Sequence, residues 1–303
     1  HSSNNFIGVI DAKDKRLYSK KHDNNLKQVI KALGPFKKDL QGIAIESTYN
    51  WYWLVDGLQE QGFKVHLANP AAIQTYSGLK HTDDKWDSFW LAHMLRLGIL
   101  AEGYIYPKQH RAVRDLLRRR LMFVRQRTSQ ILSLQSMITR NRGLNFSGDQ
   151  IKRFRDEFIE KLFSDRHLLF TAKRNIDTIR FLDRIIGEIE QEVVSQIKIK
   201  KEFIKLLTTP GIGNILGLTI MLEVGHIGRF PKVGDYSSYS RCVESKKISN
   251  RKKKGENNKK NGNRYLAWAY VEAANHPIRC CPKTQKFFQR KKAKSKRALP
   301  TKD

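Results

Sequence analysis

Long apolar runs are missing from this chain. The longest, such as residues 215–222, fall far short of the roughly 20 residues a membrane-spanning helix needs. The first residues are polar and have no apolar core, so no secretory signal is expected. Cysteine is scarce: Cys242, Cys280 and Cys281 make an odd number with no CxxC spacing, which argues against a disulfide framework and for a reducing compartment. His276 stands near Cys280 and Cys281, but adjacent cysteines are poor paired ligands and a fourth ligand is lacking, so zinc is not expected there. No internal repeat is found. Acids are in deficit, with 29 Asp and Glu against 58 Lys and Arg, and a net charge of +29 calls for a polyanionic partner.

What remains is enough to fold. The 303 residues are 40% hydrophobic and suffice for about two ordinary domains. Up to about residue 101 the pattern alternates strands with helices. Residues 6–10 and the turn-like residues 11–15 suggest a hairpin, 42–45 and 63–67 read as buried strands, and 26–33 has helical spacing. Such alternation predicts a central sheet with helices packed on it. A helix capped by Thr82 or Asp83 is expected to run to Gly98. Trp51, Tyr52 and Trp53 could stack on bases, but packing against the sheet is the better use of Trp51 and Trp53.

From residue 110 the character changes. Val113, Leu117, Leu121, Val124, Ile131, Leu134 and Ile138 recur at helical intervals, and so do Ala172, Ile176, Ile179, Leu182, Ile186, Ile189, Val193 and Ile197. Two long helices with such seams suggest an antiparallel coiled coil or a dimerisation arm, hence at least a dimer. Arg111, Arg114, Arg118, Arg119, Arg120, Arg125 and Arg127 load the first of them, whose outer face is expected to meet phosphate. Beyond residue 203, Gly211 and Gly213 in a TPGIG run precede an apolar helix and read like a helix-hairpin-helix, where backbone N–H groups approach a phosphate. Lys252, Lys253, Lys254, Lys259 and Lys260 mark a basic loop, and the residues after 281 a disordered basic tail. The expected divisions are therefore 1–105, 106–202, 203–280 and 281–303.

Three acids are candidates for chemistry. Glu46 ends a predicted strand, where a sheet edge opens to a cleft. Asp84 and Asp87, three apart at a helix start, share one face. Such a cluster is costly until a divalent cation neutralises it, and two Mg²⁺ ions about 4 Å apart suit phosphodiester chemistry. The same pair also reads as an acid-rich first turn favoured by the helix dipole. Ser249, beside Asn250 and the run Arg251, Lys252, Lys253 and Lys254, carries a hydroxyl amid positive charge. It also reads as a solvated serine in a loop that grips DNA, with Ser240 and Ser245 as competitors.

Residues 42–48 (GIAIEST), 78–87 (GLKHTDDKWD), 209–213 (TPGIG), the pair Ser249-Asn250 and 260–266 (KNGNRYL) together resemble transposases of the insertion-sequence-110 family. The resemblance spans essentially the whole chain. It implies an RNase H-like (RuvC-like) α/β N-terminal domain with a DEDD acid set binding Mg²⁺, and a C-terminal transposase domain carrying a serine nucleophile. Glu46 then matches the second acid, Asp84 the third, Asp87 the fourth and Ser249 the serine. The resemblance also implies a bridge RNA that directs the choice of DNA, a dimer or tetramer, and a place in the bacterial cytoplasm at the nucleoid. The family's first acid lies in a strand followed by a polar turn, and residues 1–5 resemble that turn. That strand is expected to precede residue 1, leaving Asp11 without the role. Arg251 stands where the family usually has glycine, and the carboxyl end stops short of the family's final helix. A binding-only remnant and a metal-dependent junction nuclease without serine chemistry are the alternative functions.

Overall fold

The structure, a computed structural model, describes residues 3–73, 83–196, 201–243, 247–255 and 261–297. The chain divides into two compact units, one made of His1–Lys108 and Glu244–Asn261 and the other of Gln109–Val243 and Gly262–Asp303.

The first unit opens with the antiparallel strands β1 (Asn4–Ile10) and β2 (Arg16–Asp23), followed by helix α1 (Leu26–Leu33). Asn25 caps α1 by accepting the Gln28 N–H. Strand β3 (Ile43–Glu46), helix α2 (Tyr52–Glu60) and strand β4 (Val65–Ala68) form a parallel β-α-β unit in which Glu46 lies opposite Ala68. Residue Glu102 bridges to Ala68 on the other edge of β4. The expected central sheet is instead two separate two-stranded ladders, since among the described residues β1 pairs only with β2 and β3 only with β4. Helix α3 (Asp84–Arg96) packs on both β1 and β3 and takes the place of a ladder between them. Val9, Val29, Leu33, Ile45, Val55, Leu58, Phe63 and Leu67 join both ladders with helices α1 and α2 in one core. Val55 and Leu58 are almost wholly enclosed, and burial of each contributes about 1.5–3 kcal/mol.

The second unit is built on two long helices, α4 (Lys108–Arg142) and α7 (Arg166–Gln196), with the short helices α5 (Gly148–Lys152) and α6 (Asp156–Leu162) between them. No glycine or proline interrupts α4, and Gly143, with φ of 67°, ends it. Asp165 starts α7 by accepting the N–H groups of His167 and Leu168. Most of the predicted seam residues are buried: Ile131, Leu134 and Ile138 pack with Ala172, Ile176 and Ile179, while Leu117 lies with Val193 in a second cluster. Ile197 lies outside the described residues. Arg127 pairs with Asp183 and Arg120 with Glu190, seven residues back on one helix against seven forward on the other, so the pair is antiparallel. This seam is satisfied inside a single chain, and it therefore supplies no argument for a dimer.

Helices α8 (Lys201–Leu207), α9 (Asn214–Val224) and α10 (Val233–Tyr239) follow. The hairpin of strands β5 (Lys247–Ser249) and β6 (Lys252–Gly255) interrupts them before α11 (Arg264–Cys280) and α12 (Pro282–Arg297). The tail expected to be disordered is thus helical as far as Arg297.

Candidate functional site

Two backbone features bring acids together in the first unit. Gly8 in β1 lets α3 approach closely, because a Cβ there would stand 2.7 Å from the Ser88 Oγ. At the start of α3, Asp83 takes the N-cap position and accepts the Trp86 N–H at 2.6 Å, which sets Asp84 and Asp87 in the first turn. Glu46 is the last residue of β3, and Asp11 directly follows β1. All four carboxylates line one cleft of ≈ 870 Å³.

Glu46 and Asp87 sense the acids around them. Burial raises the Glu46 carboxyl above its ordinary value, and the charges of Asp87 and then Asp84 raise it further. Asp87 is raised by burial first, then by Asp84 and Asp83. One Asp87 oxygen, Oδ1, is buried with no hydrogen-bond partner among the described residues. A buried acceptor beside other carboxylates, without a donor, is the chemistry a hard divalent cation satisfies. The donor set fits such an ion, although among the described residues no three acid, His or Cys side chains are already gathered into a metal cluster.

Asp11 went unrecognised in the sequence because the first acid was expected upstream of residue 1. The strand–turn pattern is present at β1, and the readable signal was an acid immediately after a strand, as at Glu46. Asp11 also has a local task, accepting the N–H groups of Lys13 and Lys15 to shape the hairpin turn.

The segment Glu244–Asn261, which carries Ser249, belongs to the first unit although the chain on either side of it belongs to the second. Ser249 and Lys252 are paired across a two-residue turn, so both side chains stand on one face of the hairpin. The turn residues Asn250 and Arg251 have φ of 49° and 58°, the left-handed pair a tight hairpin requires. Asn tolerates this conformation, whereas Arg251 is held there at a cost of about 1–2 kcal/mol. Ser249, Lys252 and Lys254 are exposed. Ser240 is 1% exposed within the second unit, which removes it as a competing nucleophile. Ser245, Lys259 and Lys260 lie outside the described residues, and Lys253 is described only in its backbone.

Residues 1–141 match a family model for DEDD transposases of the IS110 type, described as a transposase, and residues 204–289 match the transposase IS116/IS110/IS902 family. The chain belongs to the insertion-sequence-110 family of transposases. No curated protein matches the transposase over its sequence. Family membership makes it a DNA transposase, an enzyme acting on DNA.

The transposase's basic surfaces differ from those expected. Arg111 and Arg114 are buried. Arg118 holds Glu223, Arg120 holds Glu190 and Arg127 holds Asp183. Arg114 is therefore an interior residue, Arg118 is half-buried with its guanidinium committed to Glu223, and of the arginines on this stretch of α4 only Arg119 and Arg125 are exposed. The amphipathic seam needs its flanks covered by long cationic stems paired with acids, a demand that competes with phosphate for the same guanidinium groups. Gly211, with φ of 91°, packs against the Ala273 carbonyl, leaving no room for a side chain. Pro277 has removed that carbonyl's usual helical donor, so the glycine serves this close approach to α11. Gly213, at the N-cap of α9, faces open space. Exposed cations occur instead on α12, where Lys283, Lys286, Arg290, Lys291 and Lys292 stand on a helix with no acid in its sequence. No helix is long and apolar enough to cross a membrane among the described residues.

Proposed function

We propose that this transposase cuts and rejoins DNA through a phosphoserine link formed by Ser249, with Asp11, Glu46, Asp84 and Asp87 as the acid set of an RNase H-like domain. The single observation that carries the reading is the convergence of acids from three separate stretches on one cleft, in the unit that also includes the serine hairpin. In the step envisaged, the Ser249 oxygen bonds to phosphorus as a bond from phosphorus to a deoxyribose oxygen breaks. The serine proton passes to water and the leaving oxygen takes one from water. Reversal by a hydroxyl of a second DNA end completes the exchange of strands. Lys252, on the serine's face of the hairpin, supplies a positive charge for a phosphate oxygen. Glu46, Asp84 and Asp87 with Asp11 would hold a divalent cation, Mg²⁺ by family resemblance, which when bound neutralises charge on the phosphate and the departing oxygen. The guidance of DNA choice by a bridge RNA, assembly as a dimer or tetramer, and location at the nucleoid belong to the same reading. Asp11 lining the cleft supports this reading over a binding-only remnant.

The experiment is recovery of a denaturation-resistant protein–DNA adduct from a supercoiled plasmid carrying the encoding gene and its flanks, together with RNA transcribed from those flanks. The adduct is expected with the native chain in Mg²⁺, absent with Ser249→Ala, and reduced at least about a thousandfold with Glu46→Ala or Asp84→Ala. An adduct that survives Ser249→Ala removes the serine from the role, and cleavage that survives it favours a junction nuclease acting by metal alone.

A further inference from the structure

Helix α12 follows α11 after Cys281, and of residues 282–293 only Thr284 is half-buried while the rest are exposed. The helix holds no acid in its sequence. On α4, Arg118, Arg120 and Arg127 are each held by a carboxylate, whereas Lys283, Lys286 and Arg290 have no acid partner among the described residues. Like charges three and four residues apart on a helix repel each other, so this one gains from an anion laid along it.

The charges are arranged as a stripe. At 3.6 residues per turn Lys283, Lys286, Phe287 and Arg290 fall within about 100° of arc, and Thr284 lies outside it. The stripe runs about 10 Å along the axis, the reach of a few consecutive phosphates of one strand. In its middle stands Phe287, 52% exposed, with the Arg290 guanidinium and the Lys291 ammonium each 5.6 Å from the ring centre. Phe287 belongs to none of the hydrophobic clusters among the described residues, so packing does not account for it.

Phosphate recognition needs cations only. A ring among those cations adds a flat apolar surface that a nucleobase covers by stacking, while the flanking charges meet the phosphates on either side. In a duplex the base faces are already stacked on one another, and only base edges are offered in the grooves. An unpaired base therefore fits the ring, and a paired one does not.

We propose that α12 is a docking site for single-stranded DNA, with Lys283, Lys286 and Arg290 on its phosphates and a base stacked on Phe287. The strand is DNA because the chain is a DNA transposase, and exchange of strands between two duplexes separates each exchanged strand from its complement. The inference rests on that reading of strand exchange.

The test titrates the full chain into fluorescein-labelled oligothymidylate of about 15 nucleotides, a DNA duplex of that length and oligouridylate of that length. Fluorescence anisotropy reads binding, and thermal melting checks the fold. Phe287→Leu removes the ring and keeps an apolar side chain, and Phe287→Trp keeps a ring. Phe287→Leu is expected to weaken binding of oligothymidylate about fivefold or more, Phe287→Trp to preserve it, and neither to change duplex binding by more than about twofold. Replacing Lys283, Lys286 and Arg290 together by Gln should lower the slope of log affinity against log salt by about 2. Equal losses on duplex and single strand, or none on either, overturn the proposal. A loss greater on oligouridylate than on oligothymidylate also overturns it and assigns the helix to RNA. If Phe287→Leu does not fold, the triple Gln variant decides, and an unchanged salt slope sinks the site. Failure of the strand-exchange reading is seen separately, as the absence of any Ser249-dependent adduct from the native chain, which oligonucleotide binding does not involve.

Discussion

Each compact unit encloses carboxylates, and the two treat them in opposite ways. In the second unit Glu223 is almost wholly buried, yet both its oxygens are taken by Arg118 and one also by Asn263. In the first unit Glu46 and Asp87 are only partly buried, but their near neighbours include further acids, and one Asp87 oxygen has no donor among the described residues. Compensated charge holds a fold together. Charge of one sign left to repel itself is what a ligand of opposite charge can stabilise. Depth of burial alone would rank the two sites the wrong way round, and partnership ranks them correctly.

The contrast breaks most visibly if a member of each set is removed. Glu223→Ala strands the Arg118 guanidinium and is expected to cost about 3–5 kcal/mol, read as a lowered denaturant midpoint. Asp87→Asn should do the reverse in metal-free protein, raising the melting temperature by up to roughly 4 °C while abolishing cleavage. Loss of stability in Asp87→Asn comparable to that in Glu223→Ala would erase the distinction between the two sites.

A smaller effect follows from pH. The folded-state pKa values of Glu46 and Asp87 lie above their ordinary values, so the folded chain binds these protons more tightly than the unfolded one. Their contribution is fully present below the ordinary carboxylate range and is lost as pH rises through the raised values. Metal-free protein should therefore lose melting temperature over that window, and Mg²⁺ should restore more of it above the window than below. Asp14 has the opposite sign, its pKa lowered by hydrogen bonds from His93 and then Arg96. That contribution is present above the ordinary range and is lost only as pH falls through the lowered value. Melting curves with and without Mg²⁺, for the native chain and for Asp87→Asn, separate the two; a Mg²⁺ effect unchanged by Asp87→Asn would remove this carboxylate from the cation site.

The smallest effect concerns the serine hairpin. Arg251→Gly relieves a left-handed backbone and is expected to stabilise the hairpin by about 1 kcal/mol, measured as slower amide exchange across the β5–β6 ladder. Adduct yield shows whether the arginine was kept there for its charge: a fall despite the stabler hairpin says that it was.

Much of this was legible in the residues themselves. The seams of α4 and α7 were read correctly because a helical period is a local property, and Asp83 was among the expected caps of α3 because a cap bonds only three residues ahead. Asp84 and Asp87 were legible for the same reason. Asp11 was passed over because residues 1–5 were read as the polar turn that follows the first acid's strand, and its place in one cleft with Glu46, Asp84 and Asp87 became apparent only once β1, β3 and α3 had met. Arg111 and Arg114 were placed on the outer face of α4, though they are buried, because a basic helix surface looks the same whether it faces phosphate or its own chain.

The amino-acid sequence by itself determined the secondary structure of the long elements, the excess of positive charge and the identity of the acids and the serine available for chemistry. Tertiary structure alone decided which charges were left to act. Arg118, Arg120 and Arg127 find partners 105, 70 and 56 residues away, and no local pattern encodes a pairing at that separation. The cleft acids, gathered from three separate stretches, were left with one another, because Coulomb energy depends on distance in space and not on distance along the chain.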